Sequence, residues 1–317
     1  MGAFLETTVF VFGLVALGYI TGLTGLLSAK VGDALTQFAI TLAIPCLLFR
    51  TIAAAEFGDK DLVALWTCYF SGVAIVWIAG QLATKHILGR DRRASIVGGV
   101  AGSFSNSVLI GLPLVMGVYG NEGFEVLSMI VMVHLPILLA ASILVFAWVD
   151  RAEGGPDQPA SALVRKFFAT LFRNPIVIGL FAGFLWKLTG LTMPAAGQRF
   201  VDTLAATAGP VALVGMGLGL RKFGISGNVR PALLLTATKL MVMPAVMLCI
   251  VTIAGLPPLP ATIAVVTAAL PTGVNPYLIA VQFGTGQGLA SNTMTLTTAF
   301  SAATILFWLA VVERVYG

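Results

Sequence analysis

The chain has 317 residues, of which 58% are hydrophobic and only 10% are charged, and its mean hydropathy is +0.98. A soluble domain carries about 25% charged residues, so this composition predicts an all-α polytopic membrane protein without a separate soluble domain. The net charge of +5 does not indicate nucleic-acid binding, because the basic residues lie at the ends of apolar runs and form no basic–aromatic groove.

Apolar runs of about 20 residues predict ten membrane-spanning helices. We place them at residues 4–26, 32–54, 62–86, 94–118, 124–149, 174–191, 201–220, 230–254, 261–283 and 289–313. The longest polar stretch follows the fifth run and is rich in Gly and Pro, which favours a linker. We therefore expect a first five-helix repeat at 1–150, a linker at 151–173 and a second repeat at 174–317. An odd number of spans per repeat inverts the second relative to the first.

The distribution of Lys and Arg predicts the orientation of these spans. With the N-terminus outside, twelve basic residues fall on the cytoplasmic side and five on the outer side. Cytoplasmic loops carry the excess of Lys and Arg, so we expect both termini outside and the linker in the cytoplasm. The first run lacks a basic preceding region and a convincing cleavage site, so we interpret it as a retained helix and not as a signal peptide.

Two runs are interrupted near their middle by polar residues. The interruptions are Ser105-Asn106-Ser107 in the fourth run, and Pro271-Thr272-Gly273 with Asn275-Pro276 in the ninth. Lipid cannot satisfy freed backbone groups, so irregular backbone at this depth lines a cavity enclosed by protein. Two such breaks in corresponding spans are typical of inverted-repeat secondary transporters, which bind substrate near the bilayer midplane. The alternative is that both are proline kinks with Ser and Thr packing contacts.

The break in the ninth run also predicts a helix N-terminus inside the membrane. Asn is a preferred N-cap and Pro is favoured at the first helical position, so Asn275-Pro276 indicates the start of a half-helix. The positive end of its dipole favours anions. Ser105, Asn106 and Ser107 offer caps for an equivalent half-helix that begins near Val108.

Lys239 is the only basic residue deep within a predicted span, and no Asp or Glu lies equally deep. A lysine at the bilayer centre costs about 2.5–3.5 kcal/mol on insertion scales, which makes it a candidate functional residue. It could contact a carboxylate substrate or carry a proton. The alternative is a structural tether to backbone carbonyls that are freed at the helix breaks.

Two further polar residues within spans have both a functional and a packing interpretation. His134 could relay protons, or could be a neutral, hydrogen-bonded packing residue. Thr41 shares a helix face with Gln37 and Pro45 and could line the cavity or merely pack. Small-residue pairs fit either packing within the chain or dimerisation; they are Gly18–Gly22, Gly179–Gly183 and Gly215–Gly219.

The sequence lacks the motifs of the enzyme classes that act in membranes or use ATP. It has no Walker A, HExxH or GxSxG motif, and its three cysteines lie in apolar runs without metal-binding spacing. We therefore expect no enzyme activity, no cofactor and no bound metal.

The motif residues resemble the auxin efflux carrier family, whose bacterial members include carriers of malonate and other dicarboxylates. The resemblance covers nearly the whole chain and rests on residues 38–49, 105–114 and 270–275, and on Lys239-Leu240 with Pro244. It implies a scaffold domain of spans 1, 2, 6 and 7, and a transport domain of spans 3–5 and 8–10. It also implies that spans 4 and 9 cross at their breaks and that substrate moves by an elevator-like displacement. The short linker favours a prokaryotic metabolite carrier of the inner membrane.

These observations favour a secondary transporter of small organic anions, with malonate-like dicarboxylates as the leading substrate class. The carboxylates would contact Ser105, Asn106 and the half-helix at Asn275-Pro276, and Lys239 would add positive charge. A sodium-coupled symporter of the bile-acid type, and a channel or receptor on the same fold, are the alternatives. The expected partners are the substrate, the lipid bilayer and, as an open option, a second copy of the chain.

Overall fold

The computed structural model describes residues 2–55, 61–154, 159–223 and 229–317, and almost all of them are helical. We number the helices α1 Gly2–Leu23, α2 Ala29–Ala54, α3 Leu62–His86, α4 Arg92–Ser103, α5 Ser107–Ala152, α6 Ala160–Leu171, α7 Pro175–Thr189, α8 Ala195–Phe223, α9 Arg230–Ile253, α10 Pro258–Ala269, α11 Asn275–Gln282 and α12 Gln287–Tyr316. In this described part, seven helices are long and apolar enough to cross a bilayer. The chain is an all-helical polytopic membrane protein, as its composition predicted.

Helix α5 contains the turn between two predicted spans. It is 46 residues long, and a straight helix of that length would measure about 69 Å, more than twice the ~30 Å hydrocarbon core. Gly120 interrupts it with φ 60° and ψ −154°, a backbone conformation that favours glycine. The interruption falls where the sequence predicted the fourth run to end.

Helices α2, α5 and α9 each contain one widened, five-residue π-helical turn. These turns are Ala39–Ala43, Ser107–Gly111 and Thr238–Val242, and a proline follows each turn at the second residue of the next α-helical segment. Proline has no N–H and its ring clashes with the carbonyl four residues earlier, which gives a local reason for the widening. Such turns are frequent at functional sites, and these hold Thr41, Ser107 and Lys239.

Glycines bring one group of helices into close contact. Helices α1 and α2 pack on α8, and α2 also packs on α7. A Cβ atom on Gly18 would overlap the carbonyl oxygen of Val214, and a Cβ on Gly179 would lie 2.6 Å from Pro45 Cα. A Cβ atom on Gly215 would lie 2.8 Å from Thr36 Oγ1. At least one member of each small-residue pair therefore serves packing within the chain.

A second group of helices is built around α3, α4, α9, α10 and α12, which pack on one another. Arg93 at the start of α4 holds the end of α11 against this group. Its guanidinium forms an ion pair with Asp150 and donates a hydrogen bond of 2.9 Å to the carbonyl oxygen of Phe283. The end of the short helix α11 is thereby fixed, and with it the direction in which its N-terminus points.

The linker is not irregular throughout, because residues 160–171 form helix α6. Apolar residues at helical spacing, Val164, Phe167, Phe168 and Leu171, explain its formation despite the nearby Gly and Pro residues. The axis of α6 is bent by 80° from that of α7. Residues 155–158, the Gly- and Pro-rich part of the predicted linker, lie outside the described residues.

Candidate functional site

The two predicted helix breaks lie against each other. The first break is residues 104–106, between α4 and α5, and the second is residues 270–274, between α10 and α11. The Asn106 N–H donates to the Pro271 carbonyl oxygen at 2.8 Å, and the Gly273 N–H donates to the Phe104 carbonyl oxygen at 3.3 Å. Ser105 and Thr272 thereby form an isolated antiparallel bridge. The two breaks thus satisfy backbone N–H and carbonyl groups of each other, which lipid could not do.

Asn106 caps the half-helix that follows the first break, as the sequence predicted. Its Oδ1 accepts a hydrogen bond of 3.2 Å from the Leu109 N–H, which satisfies one free donor of the first helical turn. Its Nδ2 lies 3.6 Å from the sulfur of Met216 on α8. Sulfur is a weak acceptor, so this is the only partner, and a weak one, that the described residues offer to the amide N–H groups of Asn106.

The second half-helix begins one residue earlier than the sequence predicted. Val274 occupies the N-cap position without a side-chain hydrogen bond, so Asn275 is the first helical residue and Pro276 the second. The amide side chain of Asn275 is therefore not used as a cap. It lines the cavity beside the positive end of α11 instead.

A cavity of about 130 Å³ lies at the crossing of the two breaks. Its lining includes six residues that the sequence assigned to the site, namely Ser105, Asn106, Ser107, His134, Gly273 and Asn275. A water molecule's share of liquid volume is about 30 Å³, so the cavity has room for roughly four water-sized groups. This size suits a small metabolite.

Two buried polar side chains that line this cavity, and a third that lies behind its wall, have no hydrogen-bond partner within the described residues. They are Ser105, His134 and Tyr69, with exposed fractions of 1%, 3% and 0%. Both ring nitrogens of His134 are unpaired, and aromatic rings surround them, with Phe104 at 4.6 Å and Tyr69 at 5.7 Å between ring centres. We call these three residues the open cluster. Buried polar groups nearly always have partners, so the open cluster is where a ligand or ordered water is expected.

A second set of buried polar groups at the breaks is paired, and we call it the tether cluster: Ala101, Lys239, Ala268, Thr272 and Thr297. Lys239 Nζ donates a hydrogen bond of 2.6 Å to the Ala268 carbonyl oxygen, which lies at the C-terminal end of α10. The Thr272 hydroxyl donates to the Ala101 carbonyl oxygen at 2.7 Å, and the Thr272 N–H donates to Thr297 Oγ1 at 3.1 Å. A cation stabilises the carbonyl end of a helix.

The hydrogen bond from Lys239 to the Ala268 carbonyl oxygen is the kind of contact expected if Lys239 is a structural tether to backbone carbonyls at the helix breaks. Lys239 is fully buried and does not line the cavity. Its role as a direct substrate contact stays a prediction. The same holds for Pro271, Thr272 and Pro276, which are buried in the second break but do not line the cavity, and for Thr41, which is exposed.

The sequence analysis missed Tyr69 and Asn174. Asn174 lines the cavity and caps α7, where its Oδ1 accepts a hydrogen bond of 2.9 Å from the Ile176 N–H. The dipeptide Asn174-Pro175 carries the same helix-start signal as Asn275-Pro276, so that signal could have found it. Tyr69 lies in the uniformly apolar run of α3, and no local signal marks it.

Comparisons with known proteins give the family of the chain. Residues 3–309 match the family described as "Membrane transport protein". A "Putative malonate transporter" of Rhizobium meliloti (strain 1021) is 27% identical over 309 residues, which cover 93% of this chain and 91% of the relative. An "Uncharacterized transporter" of Methanothermobacter thermautotrophicus is 25% identical over 96% of both chains.

A mammalian relative matches over a smaller part of its own length. The "Lysosomal cholesterol signaling protein" of Mus musculus is 27% identical over 244 residues, which cover 74% of this chain and 28% of that protein. The family match covers nearly the whole chain, so the chain belongs to the membrane transport protein family, which is the auxin efflux carrier family that its motifs resemble.

Proposed function

We propose that this member of the membrane transport protein family is a secondary transporter of small organic anions, with malonate-like dicarboxylates as the leading substrate class. The observation that carries the proposal is the cavity at the crossing of the breaks, where the open cluster and the N-terminus of α11 meet. Helix N-termini favour anions. The name of the bacterial relative that is 27% identical supports the substrate class.

The proposed membrane arrangement has ten spans in two inverted five-helix repeats. It counts α4 with the first part of α5 as one broken span and α10 with α11 as another, and it divides α5 at Gly120. The two mutually packed groups of helices support a scaffold of α1, α2, α7 and α8 and a transport domain of the other spans. An elevator-like displacement of the transport domain would carry the crossing of the breaks across the membrane.

The cavity wall supports an inward-facing state in this arrangement. Ile40 of α2 and Asn174, at the start of α7, contribute to the wall, so both proposed domains line it. Asn174 follows the linker directly, and the excess of Lys and Arg supports a cytoplasmic position of the linker. Substrate would therefore enter or leave from the cytoplasmic side, in an inner membrane with both termini outside.

In the proposed site, different residues at the crossing of the breaks would supply hydrogen bonds and positive charge to the anion. The Asn106 amide and the first turn of α11, with Asn275, would donate hydrogen bonds to one carboxylate. Lys239 would contribute positive charge from behind the open cluster while it stays bonded to Ala268. No Asp or Glu is among the buried residues that the structure describes, which argues against coupling through an intramembrane carboxylate.

Counterflow in proteoliposomes tests this proposal. Vesicles would be loaded with single mono- and dicarboxylates, and uptake of labelled malonate would be measured for the wild type and for Asn106→Ala. We expect dicarboxylate-specific counterflow in the wild type that falls by at least tenfold in the variant, because the cap and its free N–H groups are lost together.

The alternatives give different results in the same assay. Uptake that requires sodium would favour a sodium-coupled symporter. Unitary conductance without counterflow would favour a channel, and neither signal with any organic anion would contradict the transporter proposal. Thermal melting of Asn106→Ala shows whether a loss of flux reflects misfolding.

A further inference from the structure

The charge around the cavity limits the charge of the substrate. Among the described residues, no Asp, Glu, Lys or Arg lines the cavity, and Lys239 is the only Lys or Arg that is fully buried. An unbalanced charge away from water costs several kcal/mol. Lys239 can balance at most one negative charge, so a substrate with two full charges would leave at least one of them unbalanced in an apolar enclosure.

The chemistry of the open cluster points to a neutral group at that end of the substrate. His134 is buried among aromatic rings, and the titratable or charged groups that face it are Tyr69 of α3 and Lys239 of α9. Neither supplies a negative charge to balance an imidazolium. The imidazole is therefore neutral, with one donor nitrogen and one acceptor nitrogen.

The two hydroxyl groups of the open cluster, on Tyr69 and Ser105, also both donate and accept hydrogen bonds. The Tyr69 hydroxyl lies near those of Ser105 and Ser107. An ionised carboxylate only accepts hydrogen bonds, and it would leave the acceptor nitrogen of His134 without a donor. A carboxylic acid both donates and accepts, so it can pair with both kinds of group.

From these contacts we propose that the site takes dicarboxylates in their singly protonated form, with the neutral acid group on the open cluster and the carboxylate at Asn106 and the N-terminus of α11. This inference rests on the proposed transport function. Each transported anion would then carry one negative charge and one proton. The proton binds in the donor compartment and dissociates after release, so no protein side chain needs to transfer it.

Malonate and its monoamide, malonamate, provide the test. Malonamate keeps one carboxylate and replaces the acid group by a neutral amide, which donates and accepts hydrogen bonds at every pH of the assay. Counterflow of each compound at equal subsaturating concentration would be measured across a series of equal internal and external pH values. Above the second pKa of malonate, we expect malonate flux to fall about tenfold for each pH unit, as the singly protonated form becomes scarce. Malonamate flux should stay constant.

Two conservative variants report on the open cluster. Tyr69→Phe removes only a hydroxyl group and keeps the ring that packs on His134. Tyr69 does not line the cavity, so its hydroxyl would act through the neighbouring Ser105 hydroxyl. Its loss should weaken the apparent affinity for malonamate about three- to tenfold, the size of one hydrogen bond. Ser128→Ala is the matched control, because Ser128 is equally buried but bonds only to the Phe124 carbonyl oxygen within α5. It should leave the affinity unchanged.

The outcomes separate this inference from the proposed function. Malonate flux that is constant or rises with pH, with malonamate excluded, would mean that the doubly charged form is carried; the inference then fails and the transport function stands. Wild-type malonamate affinity in Tyr69→Phe would show that the open cluster does not bind the substrate, and this would also overturn the inference. Counterflow with neither compound nor any other carboxylate would overturn both proposals.

Discussion

The open cluster and the tether cluster are both buried, polar and located at the helix breaks, but they differ in their hydrogen bonds. In the tether cluster, Lys239 bonds to Ala268 and Thr272 bonds to Ala101 and Thr297. In the open cluster, the polar atoms of Tyr69, Ser105 and His134 have no partner in the described part of the chain. Buried polar side chains at the centre of a membrane protein are therefore candidates for function. Those with hydrogen-bond partners within the chain have a structural role, and we expect those without partners to bind the ligand.

The physical reason is the cost of a buried group without a partner. A buried donor or acceptor that loses its partner costs about 1–3 kcal/mol, so an empty open cluster is a cost that a ligand can remove. A paired cluster offers a ligand no such gain. Substitutions in the tether cluster should therefore act first on stability, and substitutions in the open cluster first on transport.

Lys239 is expected to show the largest effect, because it belongs to the tether cluster and, in the proposed mechanism, would also supply the charge that balances the substrate. Lys239→Met keeps most of the side-chain volume and removes the charge. Counterflow of organic anions should fall by about 100-fold or more, the size expected for an unbalanced buried charge. The thermal midpoint should also fall, because the Ala268 carbonyl oxygen loses its partner.

Lys30→Met is the matched control, since Lys30 lies exposed near the start of α2. It should change neither quantity. Wild-type counterflow in Lys239→Met would show that Lys239 has only the structural tether role. Its charge would then not contribute to substrate binding.

His134→Phe should separate transport from stability. Phenylalanine suits the ring contacts with Phe104 and Tyr69, and the change removes two unpaired nitrogens. We expect counterflow to fall about 10- to 100-fold while the thermal midpoint stays constant or rises. A lower midpoint with a proportionate loss of flux would place His134 among the packing residues and would break the distinction between the clusters.

Thr297→Val should show the opposite pattern. The change keeps the shape of the side chain but leaves the buried Thr272 N–H without its acceptor, so we expect a loss of about 1–3 kcal/mol in unfolding free energy. Counterflow per folded molecule should stay near the wild-type value. Thr293→Val is the control on the same face of α12, because the Thr293 hydroxyl bonds only to Leu289 within the helix. Equal stability of the two variants would contradict the tether role of Thr297.

Ser105→Ala is expected to have the smallest effect. Its hydroxyl is unpaired, so its removal should change the unfolding free energy by no more than about 0.5 kcal/mol. The apparent affinity for substrate should fall about three- to tenfold through loss of one hydrogen bond. Ser142→Ala, in which the lost hydroxyl was bonded to Leu138 within α5, should leave that affinity unchanged. Unchanged affinity in Ser105→Ala would indicate that water, and not substrate, occupies the open cluster.

The sequence by itself determined the class of protein, most helix boundaries and the position of both breaks. These features depend on local physics: apolar runs of membrane length, the missing N–H of proline, and the capping preference of Asn. The cap at Asn106 and the turn at Gly120 were predictable for the same reason. The start of α11 was displaced by one residue because Val274, without a capping side chain, takes the N-cap position.

Only the tertiary structure decided which polar residues meet. The bridge between Ser105 and Thr272, the bond from Lys239 to Ala268, and the place of Tyr69 beside Ser105 join residues far apart in the chain. Composition and spacing give no record of such contacts, because any of several helix packings would bury the same apolar residues. The sequence could therefore list the polar groups at the membrane centre, whereas the packing of α3, α5 and α9 determined which of them were left without a partner.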